Sequence, residues 1–136
     1  MIPALALLAA AATTSQVDIE TNLRNGEGVV RLCMTARAEA FPARCEQDPA
    51  AIKRTVPAAS HVTFVLRDVP PGDYAIALFH DENGNGRLDK FGPVPIEGFG
   101  FSGNPKLRVG PPSFAQARVT VSLGVTRQLI RLHYIL

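Results

Sequence analysis

The chain has 136 residues, 46 % hydrophobic and 19 % charged, with a formal net charge of +2. That composition is globular rather than disordered and is enough for one domain with its own core. The arginines are scattered and form no basic stripe, so no nucleic-acid partner is expected.

Residues 1–12 form an apolar run rich in Ala and Leu, closing on Ala10-Ala11-Ala12 before a polar stretch. This reads as the hydrophobic region and small-residue cleavage site of a secretory signal, assigned here to residues 1–16. No Lys or Arg precedes the run, which leaves a buried strand as the alternative. The run is too short to span a bilayer, so no transmembrane segment is expected once the signal is removed. The expected address is the periplasm or the cell exterior, with residues 17–136 as a single β-sandwich domain.

Residues 17–23 alternate apolar and polar side chains, the pattern of a half-buried strand. Arg24-Asn25-Gly26-Glu27 follows as a turn, and residues 28–35 form a second strand, so the two predict a hairpin. Residues 36–59 are broken by Pro42, Pro49 and Pro57, with room for one helical turn opened by Asp48-Pro49. In an exported chain Cys33 and Cys45 are expected to bridge, contributing about 3 kcal/mol for so short a loop. Two reduced thiols are the alternative. Residues 61–66 and 74–80 read as strands joined by the rigid turn Asp68-Val69-Pro70-Pro71-Gly72-Asp73. Residues 91–112 read as a long Gly- and Pro-rich connection. Ser113 and Gln116 match a capping box that opens a helical turn, and residues 118–123 and 126–135 predict a final hairpin. Strands without a βαβ rhythm predict an all-β fold. The form expected is an antiparallel β-sandwich of about seven strands with one or two short helical turns.

The strand at 74–80 runs into His80-Asp81-Glu82-Asn83-Gly84-Asn85-Gly86-Arg87-Leu88-Asp89. Asp81, Asn83, Asn85 and Asp89 fall at positions 1, 3, 5 and 9 of a loop with glycine at position 6, the ligand rhythm of an EF-hand-type calcium loop. Alternate residues of a tight loop can aim hard oxygens at one point, and the Arg87 carbonyl at position 7 can add another. Position 12 departs from the pattern, being Gly92 instead of a bidentate Glu; Glu97 lies further on and is a candidate ligand or loop support. A plain polar turn built on Asn-Gly is the competing reading.

The order Pro70-Pro71-Gly72-Asp73-Tyr74, apolar strand, Phe79-His80, acidic loop, then residues 92–102 and Pro111-Pro112-Ser113-Phe114, resembles an exported bacterial family known as domain of unknown function 2141. The resemblance runs from Val17 to the C-terminus and is densest over residues 68–114. The matching positions include His80, Asp81, Asn83, Asn85, Gly86, Asp89, Glu97 and Gly98. It implies an exported β-sandwich of prealbumin or immunoglobulin-like kind with no assigned activity. Phe64 to Tyr74 is also similar to the strand-turn-strand of collagen-adhesin B-type and carboxypeptidase regulatory domains, which are structural or binding modules.

Three histidines, His61, His80 and His133, raise an enzyme reading, a small periplasmic hydrolase using the polar groups around His80. Neighbours on a strand point to opposite faces, so His80 and Asp81 are no ready dyad, and no nucleophile elbow or His-Glu-x-x-His appears. His80 is more readily a packing or hydrogen-bonding residue. Phe99 and Phe101, in a glycine-rich stretch, are a candidate partner surface or else tuck under the loop. The reading that results is a calcium-stabilised, non-catalytic binding or structural module of the cell envelope, with an envelope protein or glycan as partner.

Overall fold

The computed structural model describes residues 13–107 and 110–136. Residues 1–12, most of the expected leader, lie outside them. Among the described residues the first half of the chain forms β1 (Ser15–Asn22), β2 (Val29–Thr35), β3 (Ile52–Pro57), β4 (His61–Arg67) and β5 (Gly72–Asp81). The second half adds β6 (Lys90–Phe91), β7 (Val94–Pro95), β8 (Phe99–Phe101), helical turn α1 (Phe114–Ala117), β9 (Arg118–Val121) and β10 (Gly124–Leu129). Short 3-10 turns at Ala38–Ala40 and Cys45–Gln47 lie between β2 and β3.

Two sheets carry the fold. One has the order β10-β1-β4, with β1 antiparallel to β4 and parallel to β10. The other has the order β3-β2-β5-β8, and β9 takes the next length of β5 beyond β8. Alternation decides what faces inward. In β4 Val62, Phe64 and Leu66 are buried while His61, Thr63, Val65 and Arg67 are exposed. Val17 and Ile19 of the first sheet meet Val30, Leu32, Met34, Ile76 and Leu78 of the second in one core. Each such side chain withdrawn from water contributes about 1.5–3 kcal/mol. This is an antiparallel β-sandwich with one parallel strand pair at an edge.

Several expectations change. β1 and β2 are not a hairpin: they belong to opposite sheets, and the turn between them is a crossing. Alternation gives each strand one apolar face, which two facing sheets bury as well as a hairpin does. The final hairpin fails likewise, since β9 joins β5 while β10 runs parallel to β1. β3 lies in the segment read as irregular. It is an edge strand, where Pro57 and the charges of Lys53 and Arg54 are tolerated because one side needs no ladder partner. The helical turn expected after Asp48 is only a turn closed by Ala51 N–H donating to the Asp48 carbonyl at 3.1 Å. The long connection contains β6, β7 and β8. The capping box at Ser113 and Gln116 forms as expected. Cys33 and Cys45 are joined, with Cα atoms 6.2 Å apart, tying β2 to the segment outside it.

Candidate functional site

β5 is the platform of the acidic loop. β2 pairs with it through to its last residue, Val29 opposite Asp81, so the loop springs from a strand held to its end. His80 points inward and is fully buried. Its Nε2 lies 2.6 Å from the Glu27 carbonyl and its Nδ1 2.9 Å from the Tyr134 hydroxyl. A carbonyl only accepts, so Nε2 donates to Glu27, and Nδ1 faces the Tyr134 hydroxyl. Tyr134 in turn accepts from the Arg24 backbone N–H at 3.2 Å, under an Arg24 guanidinium 4.5 Å from its ring centre. Burial pushes the Tyr134 phenol above its ordinary pKa.

Asp81 points the other way yet is also fully buried. Its Oδ2 accepts from Arg31 Nε at 2.7 Å and from Gly86 N–H at 2.8 Å, and its Oδ1 from Asn85 N–H at 3.2 Å. Asn83 Oδ1 accepts from Asn85 N–H at 3.2 Å and Asn85 Oδ1 from Arg87 N–H at 2.9 Å. The amide Nδ2 atoms of Asn83 and Asn85 each donate to one Asp89 oxygen at 2.7 Å. The loop therefore links Asp81, Asn83, Asn85 and Asp89 through one set of hydrogen bonds. Hydrogen bonds from Asn85 and Asn83 hold the Asp89 carboxyl below its ordinary range, with the Arg87 charge adding to them. Among the described residues, no group of three or more His, Cys, Asp or Glu is arranged to hold a metal ion.

Glu97 closes the loop. Its two carboxylate oxygens accept from Glu82 N–H at 2.7 Å and Asp89 N–H at 2.9 Å, joining the start of the loop to its end. Burial pushes its pKa up against the lowering effect of the Asp89 and Glu82 backbone N–H groups, and the negative charges of Asp89 and Asp81 add a smaller upward push. As arranged, Glu97 supports the loop by holding its two ends together. The Glu82 side chain points away from this clasp, to Arg24 and Asn25. Partial burial raises its carboxyl, but hydrogen bonds from Arg24 and Asn25 prevail and hold it below its ordinary value. Arg31, Arg24 and Tyr134 carry no local signal in the sequence, because they reach the loop from β2, from the crossing between β1 and β2, and from the C-terminal segment.

Phe99 and Phe101 are in strand β8, and their rings are half-buried. Phe101 stands edge-on to Phe41 at 5.9 Å, and Phe99 packs on His133 at 5.8 Å. The alternating glycines serve the C-terminal segment: a Cβ on Gly98 would meet the Tyr134 ring at 2.4 Å, and one on Gly100 the Arg131 carbonyl at 2.5 Å. Both phenylalanines line a cleft of about 670 Å³ on the outer face of the larger sheet. The histidines do not converge, since His61 bonds Asn22 on the other sheet while His133 stacks on Phe99.

Among the described residues, no helix is long and apolar enough to cross a membrane. No curated protein and no solved structure matches the chain. A family model matches residues 17–128, which span the sandwich, the loop and α1, and the chain belongs to that family, the uncharacterised proteins conserved in bacteria designated DUF2141.

Proposed function

We propose that this is an exported, calcium-stabilised β-sandwich of immunoglobulin or prealbumin kind, a non-catalytic binding or structural module of the cell envelope. The observation that carries it is the hydrogen-bonded set of Asp81, Asn83, Asn85 and Asp89 at the end of a doubly paired core strand. The donor chemistry fits calcium: two carboxylates and two amides, all hard oxygens, with the Arg87 carbonyl in sequence to join them. An oxygen that accepts one backbone N–H keeps a lone pair for a cation, so the Asx turns are compatible with ligation. The two Asn-to-Asp89 hydrogen bonds would give way to the ion. A bound calcium would supply rigidity to the outer part of the loop.

Three further observations support the reading. Cys33–Cys45 is of the kind that persists in oxidising compartments. β1 begins at Ser15, so removal of residues 1–12 leaves it whole, whereas removal through residue 16 would take its first two residues. Tyr74, at the start of β5, donates its hydroxyl to the Pro70 carbonyl at 2.6 Å, a tyrosine corner like that of immunoglobulin-type sandwiches. His80, Asp81 and Glu97 spend their polar atoms on fold contacts, which leads away from a hydrolase. The partner-facing surface, for an envelope protein or glycan, is the face that carries Phe99 and Phe101.

The test is melting temperature against calcium, with Asp89→Asn as the variant that keeps the loop's size. With a dissociation constant of about 0.5 mM, typical of extracellular modules, about 5 mM calcium adds about 1.4 kcal/mol by mass action. A wild-type melting temperature unmoved by calcium at that concentration would refute the metal reading. N-terminal sequencing of protein from the native host tests export, and retention of Met1 on a cytoplasmic pool would sink it.

A further inference from the structure

The outer face of the larger sheet holds a cleft that neither the core nor the acidic loop consumes. Its floor is Ala77, Phe79, Phe99 and Phe101, and its volume is about 670 Å³. That falls within the range of small-molecule sites, about 300–1,000 Å³, and such sites are mostly apolar with a few placed polar groups. Pro42 and Ala43 of the disulfide-tied segment form one wall, and Leu88 and Val94 of the loop and hairpin form the other. Both walls are anchored, one by Cys33–Cys45 and the other by the Glu97 clasp.

The charges around the cleft are ordered along it. Arg31 pairs opposite Phe79, and Cys33 opposite Ala77, so the β2 register places Arg31 nearer the acidic loop. Lys90 lines the cleft from that loop's side. Glu46, next to Cys45, belongs to the disulfide end. Arg31 uses its Nε on Asp81, while Lys90 is exposed on β6. Arg31 shares its charge with buried Asp81, so the attraction for an anion at the loop end rests chiefly on Lys90, while Glu46 opposes one at the disulfide end. An apolar body with a single terminal anion matches both the lining and this polarity.

We propose that the cleft binds a small anionic amphiphile, with its acid group at Lys90 and Arg31 and its hydrocarbon along Phe79, Phe99 and Phe101. The site shares its phenylalanines with the partner face proposed above but does not rest on calcium.

Decanoate and decan-1-ol, which share a tail and differ in charge, test it by calorimetry on the full chain in EDTA and again in calcium. Decanoate is expected to bind one to one with a dissociation constant on the order of 100 μM in both buffers. The alcohol should bind about fivefold more weakly, the size of one exposed charge contact. Lys90→Glu should weaken decanoate by about the same factor and leave the alcohol unchanged. Ala43→Trp, which fills the cleft from an exposed position, should weaken both by about tenfold or more. Should that variant not fold, Leu88→Trp fills it from the loop side. No decanoate binding at about 1 mM would overturn the proposal. So would equal affinity for acid and alcohol, or undiminished affinity in a folded filling variant. Loss of calcium binding alone would not, so the two readings fail separately.

Discussion

Gly28→Ala probes the contact on which the base of the loop depends. Gly28 lies at φ +71°, where the chain crosses between sheets, and a Cβ there would sit 2.1 Å from the Asp81 carbonyl oxygen and 2.6 Å from that of Glu82. An ordinary C···O contact is about 3.3 Å, so the nearer one falls short by about 1.2 Å. Neither obstacle is a flexible side chain. Asp81 is held in the ladder opposite Val29, the residue next to Gly28, so relief of the clash must disturb β2 against β5. Alanine in the left-handed region costs about 1 kcal/mol, and forced displacement of a packed element costs about 1–3 kcal/mol more. The expected loss is about 2–4 kcal/mol in total. Gly84 supplies the control, since at φ +69° its Cβ would meet nothing within 4 Å. Gly84→Ala should therefore cost only the conformational part, about 1 kcal/mol. Urea unfolding of the three proteins in EDTA measures both, provided the slopes agree. If Gly28→Ala proves no more costly than Gly84→Ala, the steric account of the crossing is wrong.

Replacing both Cys33 and Cys45 by Ala should lower stability by about 3 kcal/mol, read from urea midpoints, because the bridge closes a loop 12 residues apart. Thr21 has a fully buried hydroxyl with no hydrogen-bond partner, so Thr21→Val should stabilise by about 1 kcal/mol in thermal unfolding. A decrease would mean that the hydroxyl is satisfied. Asp48 accepts from Thr35 Oγ1 at 2.6 Å and from Ala50 N–H at 3.0 Å, and these bonds hold its carboxyl below the ordinary 3.8. A depressed carboxyl contributes stability that is fully present above pH 3.8 and lost as pH falls through the folded value, so Asp48→Asn should flatten the acid limb below pH 4. Identical acid limbs would refute that.

What could be seen in the sequence was what neighbours decide. Alternation marked β1, β2, β4 and β5 to within a residue or two, because a strand's inward face repeats every second position. The capping box at Ser113 and Gln116 is a contact between residues three apart, and it formed where it was expected. Pairing was another matter. β1 was given β2 as its partner and found β4 and β10, since an apolar face states that a strand is covered but not by what. β3 was lost because the Lys53, Arg54 and Pro57 that suit an edge also imitate a loop. β8 hides in the sequence because Gly98 and Gly100 read as part of a Gly- and Pro-rich connection, whereas Gly98 makes room for Tyr134 and Gly100 for Arg131.

The acidic loop divides along the same line. Its rhythm, Asp81, Asn83, Asn85 and Asp89, is local and was legible. Its support is not: Arg31 comes from 50 residues away, Tyr134 from 54, and Glu97 from beyond the point where a twelfth-position ligand would fall. Glu97 shows why the departure at Gly92 does not leave the loop open. A carboxylate that accepts both Glu82 and Asp89 N–H groups joins the loop's ends by hydrogen bonds, the task a bidentate ligand performs through its ion. The two solutions differ in what remains for a cation to do. In a loop closed only by metal, removing the ion releases the whole turn. Here Asp81 and Glu97 are buried and bonded without one, so an ion's effect is confined to Asn83, Asn85 and Asp89, the more exposed part of the turn. That is why the stabilisation expected from calcium is of the order of one kcal/mol rather than the whole stability of the fold.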